Sequence, residues 1–297
     1  MKKWLAVLFV VLVPTASAQQ DFSGVQVKAT RLTDTVYMLE GAGGNIGLSA
    51  GEDSVFVIDD QFAPLTGRIT AAIAKITPKP VQFVLNTHWH FDHTGGNENF
   101  GKAGAVIVAH ENVRRRMNSD QAIEFLKMDQ PRSPKAALPV ITFPTSMSFH
   151  LNGEEIRIVH VARAHTDGDS IVFFTGSDVV HMGDIFFNGL YPFIDTSSGG
   201  AVAGVIAACD MVLGMVTDKT RIIPGHGPLA TRAELRAYRE MLSTISGRIR
   251  AAIAEGRSDA DIAKAGFTRD FDDKWGKGFM KPDRFVVMLT AGLRKGS

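Results

Sequence analysis

Asn86-Thr87-His88-Trp89-His90-Phe91-Asp92-His93-Thr94-Gly95-Gly96 follows the apolar run Val81, Phe83, Val84, Leu85 and packs three histidines and a carboxylate into six positions. The apolar run predicts a strand over 81–86 that feeds the histidine loop. Alternate positions on extended backbone face one way, so His88 and His90 can aim at a common point. Asp92 and His93 can then turn toward a second point nearby. Imidazole and carboxylate are preferred ligands of zinc and its neighbours, so this loop can build half of a two-metal site.

Working outward, other candidate ligands should sit where strands end. His165 lies in the turn-forming stretch Arg163-Ala164-His165-Thr166-Asp167-Gly168-Asp169. Asp184 follows an apolar run over 179–182, and His226 stands in Pro224-Gly225-His226-Gly227-Pro228 after a short strand over 220–223. A glycine precedes each of these last two, which lets the backbone turn tightly there.

The remaining pattern alternates β-rich stretches with helices in two similar halves. Strands are expected at 25–29, 35–40, 45–49, 54–58, 81–86 and 105–109, then at 142–151, 155–161, 170–175, 179–182 and 220–223. Helices are expected at 65–76, 111–128 and 200–215, with a helical tail from Thr231, where Thr231 and Glu234 have capping-box spacing. The proline-bearing segment 130–139 reads as an exposed loop. Helices over the outer faces of two packed sheets account for this order.

The ordered set His-x-His-x-Asp-His, lone His, lone Asp, Gly-His-Gly resembles the metallo-β-lactamase superfamily over nearly the whole chain, including Asp59-Asp60 after an early strand. The resemblance implies an α/β fold, a four-layer αββα sandwich. It also implies two Zn²⁺ per chain: His88, His90 and His165 on the first, Asp92, His93 and His226 on the second, and Asp184 bridging both. Asp59 or Asp60 would orient a ligand imidazole. The chemistry expected is attack by a metal-bridging hydroxide, ionised because zinc lowers the pKa of water to roughly 7. Asp92 would act as the catalytic residue, orienting the nucleophile and passing its proton to the leaving group.

Departures from the family bear on the substrate. The best-known exported lactamases carry Cys where Asp184 stands and Lys three residues on, where this chain has Phe187. Asp at that place resembles glyoxalase II and the lactonases. The expected activity is opening of a cyclic amide or ester, β-lactam-like or lactone. The alternatives are thioester hydrolysis of the glyoxalase II kind, and an iron-dependent oxidoreductase such as a persulfide dioxygenase on the same scaffold. The aromatic loop 186–193 is a candidate substrate wall, with Tyr191 or Asn188 as a candidate oxyanion donor.

Composition sets the outer bounds. A chain of 297 residues, 45% hydrophobic, buries a substantial core. Its formal net charge of +1 gives no global field for nucleic acid or acidic membranes, so the expected partner is a small-molecule substrate. Arg114-Arg115-Arg116 reads as one solvated turn of a helix. Lys2-Lys3, the apolar 4–13 and Ala16-Ser17-Ala18 read as a signal peptide over 1–18, leaving a hydrolase domain over 19–297 with a helical C-terminal tail. That address is periplasmic or secreted, with no membrane contact after cleavage. Cys209 is the only cysteine, so no intrachain disulfide is possible, and its apolar neighbours mark it as a buried hydrophobe. His110, His150, His160 and His181 are expected to be structural.

Overall fold

The computed structural model describes residues 21–296; the expected leader at 1–18 lies outside them. Strands β1 (Lys28–Arg31), β2 (Val36–Glu40), β3 (Ile46–Ala50) and β4 (Val55–Ile58) form an antiparallel meander. Helix α1 (Thr66–Ala74) then crosses to β5 (Phe83–Asn86), parallel to β4. Two short helices, α2 (Phe91–Thr94) and α3 (Asn97–Lys102), lead to β6 (Val106–His110) and α4 (Glu111–Met117). A small hairpin of β7 (Gln121–Ile123) and β8 (Met128–Gln130) follows, and β9 (Ile141–Phe143) closes the first sheet beside β6.

The second sheet runs β10 (Ser146–Leu151), β11 (Glu154–His160), β12 (Ser170–Phe174) and β13 (Val179–His181), then, after α5 (Val202–Met215), β14 (Arg221–Ile223) parallel to β13. Helices α6 (Arg232–Ala254), α7 (Asp259–Lys264), α8 (Asp272–Trp275) and α9 (Pro282–Arg294) complete the chain. The expected capping box of Thr231 and Glu234 starts α6. No helix among the described residues is long and apolar enough to cross a membrane.

Period-two alternation within the strands makes the layers. On β4, Phe56 and Ile58 face inward to meet Val172 and Phe174 of β12 between the sheets. The alternate residues Val55 and Val57 face out to Leu65, Ile69 and Ile73 around α1. On β12, Ile171 and Phe173 face the other way, into the cluster that holds Val205 of α5, Leu242 of α6 and Phe285 of α9. Three apolar layers thus separate helix, sheet, sheet and helix: the expected four-layer αββα sandwich. Each fully buried large side chain in these layers contributes about 1.5–3 kcal/mol.

Two expected elements differ. The helix expected over 111–128 stops at Met117, because Asn118, Ser119 and Asp120 turn the chain, and the Asp120 carboxylate accepts the Arg132 amide at 2.8 Å to close the β7–β8 excursion. The single strand expected over 142–151 is two strands in different sheets. Pro144, which has no amide hydrogen to continue a ladder, lies between them.

Strands β4, β5, β6 and β9 run parallel, as do β13 and β14. Their C-terminal ends, Ile58, Asn86, Ile223 and His181 among them, lead into the loops that carry Asp59, His88–His93, His226 and Asp184. In sheets of this kind ligands bind in the crevice outside the carboxyl ends of the strands.

Candidate metal centre

At that crevice the seven expected ligands come together in two groups. His88, His90 and His165 place one ligand atom each within 4.8 Å of one another, and Asp92, His93 and His226 do the same. Asp184 lies between the groups. Its Oδ1 is 3.0 Å from His93 Nε2 and 3.3 Å from His226 Nε2, while Oδ2 is 3.6 Å from His165 Nε2 and 3.9 Å from His88 Nε2. One carboxylate therefore faces both clusters, one oxygen to each.

Hydrogen bonds at the far side of each ring decide which nitrogen faces in. His93 Nδ1 donates to Asp59 Oδ2 at 2.7 Å. The Thr87 hydroxyl donates to the same oxygen at 2.7 Å and is placed to accept from His88 Nδ1 at 3.0 Å. One buried carboxylate, Asp59, thereby orients an imidazole in each cluster. Asp60 does something else: it accepts the Gly96 amide at 2.8 Å and holds the end of the histidine loop closed. Burial raises the Asp60 pKa well above the usual carboxylate range.

His90 and His165 give a direct test of fit. His90 Nε2 donates to Asp195 Oδ2 at 3.1 Å, and His165 Nδ1 donates to the Phe193 carbonyl at 2.9 Å. The nitrogens left over, His90 Nδ1 and His165 Nε2, then direct lone pairs at each other across 2.9 Å. Two acceptors that close need a cation or a proton between them. Burial holds His165 down at about 4, against a proton at neutral pH, and it lowers His88 well below the ordinary imidazole value. His88 Nε2 is buried without a hydrogen-bond partner. The donor set fits a divalent metal.

The second cluster is more acidic. Burial opposes charge on His93, but the carboxylates of Asp184, Asp92 and Asp59 outweigh it and raise its pKa well above the ordinary value. Burial likewise opposes charge on His226, and Asp184 and Asp92 lift it to about 9. Burial disfavours the Asp92 anion, yet His93 and His226 hold that carboxyl at about 2. His93 Nε2 and His226 Nε2 are 3.3 Å apart, and Asp184 Oδ1 lies 3.0 Å from the first and 3.3 Å from the second.

The two glycines noted in the sequence act differently. Gly183 takes a positive φ of 51° ahead of Asp184. Gly225 has no such angle, but a Cβ there would sit 2.1 Å from Asp184 Oδ1, so only glycine lets the His226 loop close on the carboxylate.

Sequence reasoning missed Asp195. It is buried, is hydrogen-bonded by His90 and by the hydroxyls of Ser197 and Ser198, and comes 105 residues after its histidine. The expected oxyanion donors are corrected. Tyr191 is buried with its hydroxyl donating to Asp272 Oδ1 at 2.9 Å, and Asn188 donates to the Pro228 carbonyl at 3.0 Å, so neither points into the crevice. The aromatic loop does wall it, through Phe187 and Phe193. Phe187 stacks on His226 with centroids 4.9 Å apart. Phe186 instead packs against Tyr238 in the core.

The four histidines read as structural lie outside both clusters. His110 and His160 stack with centroids 3.6 Å apart, and His150 is exposed on β10. His181 donates to the Asn45 carbonyl at 3.1 Å and accepts the Gly183 amide at 3.2 Å, which steadies the turn carrying Asp184. Arg116 is no solvated residue: it grips Asp167 with two bonds of 2.7 and 2.8 Å and ties the His165 loop to α4.

A cavity of about 320 Å³ opens over the clusters. Its floor is His90, Asp92, Asp184 and His226; its walls are Phe62, Phe91, Ile123, Leu126, Phe187, Phe193 and Phe279.

Comparison with known proteins agrees with this geometry. The family model of the metallo-beta-lactamase superfamily matches residues 39–237. The alpha subunit of 2,4-dinitroanisole O-demethylase from Nocardioides sp. (strain JS1661) is 23% identical over 80% of this chain and 70% of its own length. Hydroxyacylglutathione hydrolase from Polaromonas sp. (strain JS666 / ATCC BAA-500) is 26% identical over 73% of this chain and 74% of its own. Among solved structures, the mono-zinc form of the metallo-beta-lactamase FIM-1 from Pseudomonas aeruginosa shares the fold. It superposes with a TM-score of 0.59 at 19% identity, covering 74% of this chain and 96% of that one.

Proposed function

The chain belongs to the metallo-beta-lactamase superfamily, and from that premise we propose that it is an exported dinuclear zinc hydrolase that opens a cyclic amide or ester. A metal hydrolase of this fold, with histidine and aspartate metal-binding groups, is supported by the family match and the two ligand clusters. The observation that supports two metal ions is Asp184, one oxygen toward each cluster.

Two dications held by these residues would supply Lewis acidity toward a carbonyl oxygen and would ionise water near neutral pH. The chain's own residues do the rest. Asp59, Asp195 and the Phe193 carbonyl lock the imidazoles so that no reorganisation is needed on binding. Asp92, partly exposed at the cavity floor, is placed to orient the nucleophile and carry its proton. In the net step water oxygen bonds to the carbonyl carbon and the ring C–O or C–N bond breaks. The leaving heteroatom takes the proton by way of Asp92, giving a ring-opened hydroxy or amino acid.

Nitrogen and oxygen donors suit zinc, and the zinc-bearing structural relative supports that choice. A second reading, thioester hydrolysis, has the support of the hydroxyacylglutathione hydrolase relative. The test is a panel of homoserine lactones, nitrocefin and glutathione thioesters on the zinc-loaded and chelated protein. Zinc-dependent opening of lactone or lactam is expected. Turnover of thioester alone would replace this reading with the second.

A further inference from the structure

We propose that the cavity selects uncharged carbonyl substrates carrying an apolar chain, and that Phe279 at its rim is the residue that grips the chain. The inference rests on the hydrolase reading above and adds a substrate class to it.

The polar side chains lining the cavity are His90, Asp92 and His226 of the two clusters and Asp184 between them. Among the described residues, no lysine or arginine lines the cavity. A substrate carboxylate held against the walls Phe62, Phe91, Leu126 and Phe193, clear of the ligand floor, would be desolvated with no lining side chain to pair it, which is costly. An apolar chain meets the reverse situation, because every wall returns hydrophobic free energy.

The walls are not an accident of one loop. They come from the turn after β4, from α2, from the β7–β8 hairpin, from the loop after β13 and from the α8–α9 connection. Five separated segments each deliver apolar atoms to one opening. Phe279 stands out because it is 53% exposed while lining the cavity. A large aromatic left half in water beside an apolar opening gains burial when a chain lies against it, and so contributes selectivity where Phe187 and Phe193 are already covered.

The experiment compares γ-butyrolactone, γ-decalactone and benzylpenicillin, an anion, on the zinc-loaded protein. It is repeated with Phe279→Ala and Phe279→Lys, and displacement of the neutral dye Nile red is measured as a readout independent of turnover. Expected is a rise in kcat/KM from butyrolactone to decalactone that narrows by about tenfold in Phe279→Ala. Phe279→Lys should shift preference toward benzylpenicillin. Dye displacement should need less γ-decalactone than the same lactone bearing a carboxylate at the end of its chain. Equal rates for the two lactones, a native preference for benzylpenicillin, or equal dye displacement by the carboxylate-tipped lactone would overturn the inference. Dye displacement by decalactone without turnover of any lactone or lactam would keep the pocket assignment and sink the hydrolase reading.

Discussion

Asp59 Oδ2 accepts the Nδ1 hydrogen of His93 at 2.7 Å, with both side chains fully buried. The same carboxylate takes the Thr87 hydroxyl that meets His88, so one residue on the loop after β4 orients an imidazole in each cluster. Asp59→Ala should therefore weaken metal binding on the order of 10- to 100-fold while all seven ligands remain. Calorimetric zinc titration checks this, and unchanged affinity at both sites would remove Asp59 from the account.

Asp184 is the next point of leverage, since its two oxygens face one cluster each. Asp184→Ala should lose much of the bound metal and drop kcat/KM by several orders of magnitude, while His150→Ala, exposed on β10, keeps its metal. Equal metal content in the two variants, by plasma mass spectrometry, would mean the ligand assignment is wrong.

Proton linkage separates the two clusters. In the metal-free protein the raised pKa values of His93 and His226, the latter about 9, mean that both hold protons at pH 7. Lowered values leave His88 and His165, the latter at about 4, neutral there. Zinc must expel protons from the second cluster, so its affinity there falls as pH drops below about 9, while the first cluster loads well into mild acid. Titrations in buffers of differing ionisation enthalpy should show the first equivalent binding with little proton release and the second with much. The reverse order would contradict the electrostatics.

A stability prediction stands apart from the site. The Thr231 side chain caps α6 by accepting the Ala233 amide, reciprocated by Glu234. Thr231→Ala should cost about 1 kcal/mol in urea unfolding and leave zinc content and kcat/KM as they are. A loss under a few tenths of a kcal/mol would mean that packing alone fixes the helix start.

The layers and the ligand set were legible because each depends on local pattern. The apolar, β-branched runs in 54–58 and 170–175 read as strands, and a dense histidine loop after a strand has few other uses. What escaped depends on contacts far apart in the chain. Asp195 looks like any loop aspartate until folding brings it to His90. The β7–β8 hairpin has strands of three residues each, too short to interrupt a helical pattern running on from α4. Tyr191 read as a donor for the site because its neighbours are aromatic, yet Asp272 of the C-terminal tail claims its hydroxyl.

The proposed two-metal centre divided by Asp184 can be read directly. The direct measurement is metal content per chain of the protein purified from its native host compartment, read together with lactone opening. Two zinc ions per chain, with activity that chelation removes and zinc restores, is the predicted result. One iron and no zinc, with oxygen consumed on a persulfide and no lactone opened, would contradict it.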